Sequence, residues 1–324
     1  MYTTEDCEFN PGAALINILR RKQLSTRRTG VACTPENFAI ATVRRSSGGR
    51  HLLESCVSGV ASPVEQTKAI EDWFAAENHR AGAISSVMDP ADYELLQVES
   101  PDVQPAEFKA AVRWRLKGAI DFAVEDAVID VFDMPGQALR AGSKMMYVVA
   151  AKRGAIERQT AILKSAARHI DVVDIPELAL RNLASLLPES DQGLILLWLL
   201  EKSAQLIVIK QTTLYFARHV HLSGNESADT DAGLPDVEAI ALELQRSNDY
   251  FESQFQQAPL VNLIIAPRSE YSVRLAEALS KQTSMRVQSI DLSSAMDLAP
   301  GLEPSDRCSL LAIGAALRED STKL

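Results

Sequence analysis

His219 and His221 stand two residues apart in a segment that alternates like a strand, so both rings would share one face at a spacing compatible with one metal ion. No Cys, Asp or Glu sits at a supporting spacing, and a surface pair is the favoured reading. Asp121, Glu125, Asp126, Asp130 and Asp133 cluster, but they alternate with apolar residues. That pattern fits a solvated strand edge better than paired catalytic acids. Arg113 and Arg115 flank Trp114 in a helical pattern, which implies an exposed cationic face around one buried ring; an interaction patch is the weaker reading. Neither G-x-x-x-x-G-K-[ST] nor G-x-G-x-x-G is present, nor the G-x-S-x-G of a serine nucleophile. Cys7, Cys33, Cys56 and Cys308 lie far apart without a C-x-x-C pair, as expected of reduced thiols and not of a zinc or redox site.

The elements that would position any site belong to a chain of 324 residues with a net charge of −10. That charge argues against a general nucleic-acid binder, which needs a cationic footprint for phosphates. With 46% hydrophobic residues the chain can bury a large core. The apolar run 193–200 ends at Glu201 and Lys202, too short for a membrane span and suited to a buried strand. The acidic start lacks a signal-peptide pattern, so a cytosolic protein is expected. Residues 13–22 can form a short helix with Leu15, Ile16, Ile18 and Leu19 apolar, followed by Arg20, Arg21, Lys22, Arg27 and Arg28. Contact with an anionic membrane surface is one reading. A frayed arm, or a helix packed on its own domain, is favoured.

Hydrophobic periodicity predicts strands over 30–33, 37–45 and 51–57, a helix over 63–78 and a strand over 81–87. Strand 93–98, a helix opened by Pro105 with Phe108, Val112 and Leu116 on one face, strands 127–132 and 144–151, and a helix over 154–169 form a middle α+β unit. A short strand at 171–175 leads to a helix from Pro176 to about residue 187. The second half repeats the style, with strands 194–200, 204–210 and 213–219, then a polar loop over 223–233. A helix over 235–257, strand 260–266, helix 271–282, strand 286–290 and helix 309–317 follow. The two halves share an order of elements without a detectable sequence repeat.

At this point the chain resembles the PilM-like proteins of type IV pilus assembly, and among them the MshI proteins of the mannose-sensitive haemagglutinin (MSHA) pilus. These are relatives of the cell-division protein FtsA. The resemblance spans roughly residues 28–320. It rests on PAEFKAAVRWRLKGAIDFAVEDAVIDVF at 105–132, VVDIPELAL at 172–180, LELQRSNDYF at 242–251 and IGAALR at 313–318. It implies an actin-like (ribonuclease-H-like) two-lobed α/β fold with an inserted α+β (SHS2-like) module. The corresponding division is an arm over 1–27, a first subdomain over 28–87 and 166–190, and an insert over 88–165. A second subdomain would take 191–224 and 258–324, with a small helical one at 225–257.

Actin-like proteins hold a nucleotide between two D-x-G hairpin turns and a Gly-Gly turn. Glycine lets backbone amides approach phosphate, and the aspartates orient Mg²⁺ or water. Set on that pattern, the first D-x-G becomes Ala32-Cys33-Thr34. Counting back from Arg218, which matches a common family arginine, the second becomes Trp198-Leu199-Leu200. The Gly-Gly turn becomes Ala266-Pro267, where Pro267 also lacks an N–H. The resemblance therefore implies a pseudo-ATPase with no cofactor, no metal and no catalytic residue: a cytosolic scaffold at the inner membrane. Its expected partner is the N-terminal tail of a PilN-like bitopic protein, held between the first subdomain and the insert. Pilus motor or platform proteins and further copies of the chain are additional expected partners; nucleic acid is not. A working actin-like ATPase is the rival reading.

Overall fold

The computed structural model describes residues 27–45, 50–76, 82–136, 144–166, 170–222 and 234–318. Residues 1–26 of the expected arm and the expected 223–233 loop lie outside them, and Arg27, the last residue of that arm, opens the first strand. The first half opens with β1 (Arg27–Cys33), β2 (Asn37–Arg45) and β3 (His51–Val60) as antiparallel neighbours. Then α1 (Pro63–Ala76) returns the chain to β4 (Ala83–Val87), which lies parallel to β1. After the insert, α3 (Arg153–Ser165) leads to β8 (Val172–Asp174), parallel to β4, and then to α4 (Pro176–Ala184). The insert supplies β5 (Tyr93–Glu99), α2 (Pro105–Arg115), β6 (Ala127–Asp133) and β7 (Met145–Lys152).

The second half repeats this plan. Antiparallel β9 (Leu194–Leu199), β10 (Ser203–Lys210) and β11 (Thr213–His221) precede α5 (Val237–Phe255) and β12 (Asn262–Ala266), which is parallel to β9. Next come α6 (Glu270–Gln282), β13 (Arg286–Ser289) parallel to β12, α7 (Leu292–Ala295), β14 (Asp297–Leu298) and α8 (Arg307–Ala316). The sheets run β14-β3-β2-β1-β4-β8 and β11-β10-β9-β12-β13. Without β14, which pairs with the β3 edge, the two orders and strand senses coincide, so the chain contains one topology twice. Central strand β9, LILLWL, is buried at every position, as a strand covered on both faces requires.

Each half ends in a helix that packs on the other half. Helix α4 lies against β10 and β11, while α8 lies across β1, β2 and β4 and also against α4. Residues of both sheets and both helices share one core, including Ala39, Leu183, Trp198, Ile264 and Leu310. The contact is made by glycines. A Cβ on Gly30 of β1 would stand 1.9 Å from the Ala312 carbonyl oxygen, and one on Gly314 of α8 would stand 2.2 Å from the Ala179 carbonyl oxygen of α4. Beside this stack, buried Asp174 pairs with Arg318 at 2.7 Å, and Asn182 donates to the Gly314 carbonyl at 3.1 Å.

Three parts of the expected division are corrected by this packing. Helix α8 belongs with the first sheet, because its small apolar face fits the Gly30 groove. Helix α3 joins the first lobe and not the insert: Leu163 is buried with Ile70, Phe74 and Ile84. Helix α5 is no separate subdomain, since Ile240, Leu244, Phe251 and Phe255 cover the outer face of the second sheet. The insert keeps its own sheet, β5-β7-β6, and its own core of Val112, Leu116, Val124, Ala127 and Val148. It rests on the edge strand of the second sheet. Phe132 stacks on Tyr147, whose hydroxyl donates to the Tyr215 carbonyl. Trp114 departs from the expected buried ring and is 78% exposed. Arg113 instead bridges the Val124 and Ala127 carbonyls, and Arg115 pairs with Glu99 at 3.2 Å.

The glycine contact sets a test. Gly314→Ala places a methyl against backbone and is expected to cost about 3 kcal/mol or more, the upper range for overpacking. Gly154→Ala, where the new Cβ meets only Arg158 Nη1 at 3.7 Å, is expected to be neutral or stabilising by up to about 1 kcal/mol. Urea unfolding of both variants checks this; equal midpoints would refute the close-contact account.

Candidate functional site

The duplicated hairpins face each other across a cleft. In the first, Thr34 N donates to Asn37 O at 2.8 Å; in the second, Leu200 N donates to Ser203 O at 2.9 Å. These matching closures make Thr34 and Leu200 topological equivalents, so Ala32 and Trp198, two residues earlier, also correspond. Between the hairpins lies a cavity of about 660 Å³. Thr34, Trp198 and Leu200 line it, with Pro90, Pro176 and Leu311 adding apolar wall.

The structure thus gathers three of the six expected loop positions. Ala32 is buried in the shared core beneath α8. Ala266 pairs with Trp198 in the ladder and is fully buried, while Ala266 and Pro267 do not line the cavity. Trp198, Gln205 and His219 occupy one cross-strand row along the second-lobe wall. His221, two residues further, is exposed on the same strand. Among the described residues no group of three or more His, Cys, Asp or Glu could hold a metal ion. Arg218 packs its guanidinium 4.4 Å from the Tyr250 ring centroid and 5.1 Å from that of Phe216. Tyr250 belongs to the 242–251 segment, where Asn248 also exchanges hydrogen bonds with the backbone of Leu260 at 2.8 and 2.9 Å. The acidic cluster of the insert lies around β6, an edge strand, where Asp130 and Asp133 are exposed.

Two helix N-termini reach this cleft, and each carries its own carboxylate. Asp306 caps α8 by accepting from Ser309 N at 2.8 Å, and it also takes the Ser58 hydroxyl at 2.8 Å. Glu177, in the first turn of α4, is buried and accepts from the Tyr93 hydroxyl at 2.6 Å and from Gln205 Nε2 at 2.5 Å. A helix N-terminus presents free amides and positive potential to an anion. Here part of that capacity is met from within the chain. The remaining charged lining groups are Glu36, Asp89 and Glu201 with Lys202 and Arg307. With Asp306, four carboxylates face two cations, a net of −2 before His219.

Glu177 is also a three-way junction. Tyr93 is the first residue of the insert sheet, Glu177 stands on the interlobe helix and Gln205 on the second sheet. Sequence reasoning missed it, since Pro176-Glu177 reads as an ordinary acidic first turn. Three cysteines lie in the same region: burial pushes the Cys33 thiol up to about 12, and Cys56 and Cys308 up to about 11. All three are free thiols.

No protein-family model matches the chain, and no curated protein matches it. Solved structures do. The chain is similar to the PilM–PilN type IV pilus biogenesis complex, with a TM-score of 0.64 and 19% identity over 90% of this chain and 97% of that one. Fainter likenesses include the cytoplasmic domain of EpsL, an inner membrane component of the type II secretion system of Vibrio cholerae. There the TM-score is 0.48 and the identity 15%, over 92% and 96% of the two chains. Another is a Bacteroides thetaiotaomicron protein with an actin-like ATPase fold, with a TM-score of 0.46 and 7% identity over 85% and 94%. At those two scores nothing further rests on them. The duplicated sheets with exchanged helices are an actin-like α/β fold, and the insert interrupts its first half.

Burial raises the Glu177 carboxyl above its usual range, against the lowering pull of the Tyr93 hydroxyl, its own backbone amide, Gln205 and His219. A raised folded-state pKa means that the folded protein holds the proton longer than the unfolded chain. The stability it contributes is complete below the ordinary glutamate range and is lost as pH rises from there through the raised value. Glu177→Gln removes this titration. The melting-temperature difference, variant minus wild type, is expected to grow as pH increases through that interval. A difference independent of pH would show that Glu177 does not titrate anomalously.

Proposed function

We propose that this protein is a cytosolic scaffold of a type IV pilus assembly platform of the MSHA kind. It would bind the N-terminal cytosolic tail of a PilN-like inner-membrane protein without using ATP. The observation that carries the reading is the likeness to the PilM–PilN complex along nearly the whole of both chains. The uncovered tenth of 324 residues, about 32, is smaller than the 60-residue insert (93–152), so the likeness must reach into the insert. An actin-like fold by itself leaves function open. The MSHA assignment follows the four resembling segments.

The cleft supports a role without nucleotide. Trp198, 2% exposed, stands where the pattern calls for a Mg²⁺-orienting carboxylate. Both helix N-termini are supplied with carboxylates by the chain, and the lining groups sum to −2, which opposes a triphosphate. No helix among the described residues is long and apolar enough to cross a membrane. One observation favours the rival ATP-binding reading: a cavity of about 660 Å³ persists between the hairpins.

Two measurements separate these readings. A tagged PilN-like tail, encoded beside this gene, is expected to retain the full chain in pull-down. A folded pair that fails to associate would refute the scaffold reading. Millimolar Mg-ATP is expected to leave the melting temperature unchanged. A nucleotide at about a hundredfold its Kd adds about 2.7 kcal/mol, a rise on the order of 5–10 °C for a domain of about 150–250 residues. Such a rise would establish the rival.

A further inference from the structure

The second sheet ends in an open strand. Its order is β11-β10-β9-β12-β13, so the insert leans on one edge and β13 forms the other. Arg286 N donates to Val261 O at 2.7 Å, and Ile290 N donates to Ile265 O at 2.8 Å. Backbone direction alternates along a strand, so Val287 and Ser289 turn their N–H and C=O groups away from β12. These four groups have no strand partner among the described residues.

A trough of about 510 Å³ lies along this edge. Its two sides differ because the side chains of β13 alternate. Val287 packs on the cluster that holds Leu275 and Leu279 of α6, and Ser289 Oγ stands 3.2 Å from Ser272 Oγ of the same helix. On that side Val273 and Ala276 supply an apolar wall. Gln288 faces the other way, and its Nε2 donates to Glu189 Oε1 at 2.6 Å. Glu189 lines the trough, and its other oxygen, Oε2, is buried without a hydrogen-bond partner. A buried acceptor left unmade costs free energy that a donor from outside would recover. With Glu277 and Asp291, three carboxylates of the lining face one guanidinium, that of Arg268.

We propose that β13 accepts an extended segment of another protein as a sixth strand, one in which lysine or arginine alternates with apolar residues. The open ladder selects extended backbone. Strand alternation then turns one set of side chains toward α6 and the other toward Glu189. The first set meets the apolar wall. The second brings an ammonium or guanidinium to the unpaired carboxylate oxygen, where a charge-assisted hydrogen bond forms. The surplus of carboxylates opposes a nucleic acid or an anionic lipid surface. The inference does not rest on the tail-binding reading, because β13 and the insert lie at opposite edges of the sheet.

The test is fluorescence anisotropy of a labelled peptide of alternating lysine and valine, titrated with the full chain. Binding is expected, weakening with added salt and absent for the counterpart of alternating glutamate and valine. N-methylation of every amide of the lysine peptide is expected to abolish binding, since the ladder then loses its donors. Glu189→Gln is expected to weaken binding about tenfold or more, the worth of a hydrogen bond to a charged group. Ser289→Pro removes an outward N–H, a change that an edge strand tolerates, and is expected to weaken binding at least as much. Glu157→Gln, which removes an exposed carboxylate from α3 in the other lobe, is expected to leave binding unchanged. Should Ser289→Pro lose its melting transition, the N-methylated peptide tests the ladder on the unaltered protein. The proposal is overturned if the lysine peptide fails to bind, or if the glutamate or N-methylated peptide binds equally well. A folded Glu189→Gln or Ser289→Pro variant that binds as wild type also overturns it.

Discussion

Two backbones meet a third at the centre of this molecule, and most of the architecture follows from that approach. Gly30 lets α8 lie directly on β1, and Gly314 lets α8 lie directly on α4. A side chain at either position would open a gap comparable to a methyl group through a core that holds both sheets. Because α4 ends the first half yet packs on the second sheet, and α8 does the reverse, neither lobe has a complete core alone. The lobes are thus fixed relative to one another by exchanged helices. Asp174 and Arg318 close the same stack electrostatically, which explains why VVDIPELAL and IGAALR are paired features of the sequence.

That rigidity has a consequence for the cleft. Hairpins and helix N-termini converge on this cleft, and free helix N-termini would favour an anion there. Here Asp306 and Glu177 occupy the ends of α8 and α4, and Trp198 belongs simultaneously to the cleft wall and to the shared core. Replacing its indole by a carboxylate would remove apolar volume from between the lobes and bury a charge among leucines, both costly. The hairpin sequence is therefore coupled to the packing of the whole protein, and introducing a D-x-G turn there would need more than a local change.

Much of the fold was legible as periodicity. Strand β9 announced itself as an uninterrupted apolar run, and α2 as Phe108, Val112 and Leu116 at helical spacing. The order of elements in the two halves betrayed the duplication without any repeat of residues. The helix exchange was not legible. Local pattern shows that α8 is apolar all round, but which sheet it covers is decided by a groove at Gly30, some 280 residues earlier. For the same reason α3 was read with the insert it follows in sequence and not with the lobe it packs on. Trp114 was misread because a lone tryptophan in an amphipathic helix is usually assigned inward, whereas Val112 and Leu116 already fill that face. At the site, Thr34, Trp198 and Leu200, which the resemblance singled out, line one cavity, while Glu177 drew no notice, since its role depends on Tyr93 and Gln205, brought to it from other elements.

The insert bridges the two lobes. It is rooted in the first lobe at Tyr93 but leans on the edge of the second through Phe132 and Tyr147, so it spans both. There the Tyr147 hydroxyl engages the Tyr215 carbonyl on the edge strand β11. Glu177 ties the insert's first residue to the interlobe helix and to the cleft wall within two hydrogen bonds. A peptide held beside the insert would therefore meet a platform whose parts are already fixed, and would lose little free energy to ordering the protein.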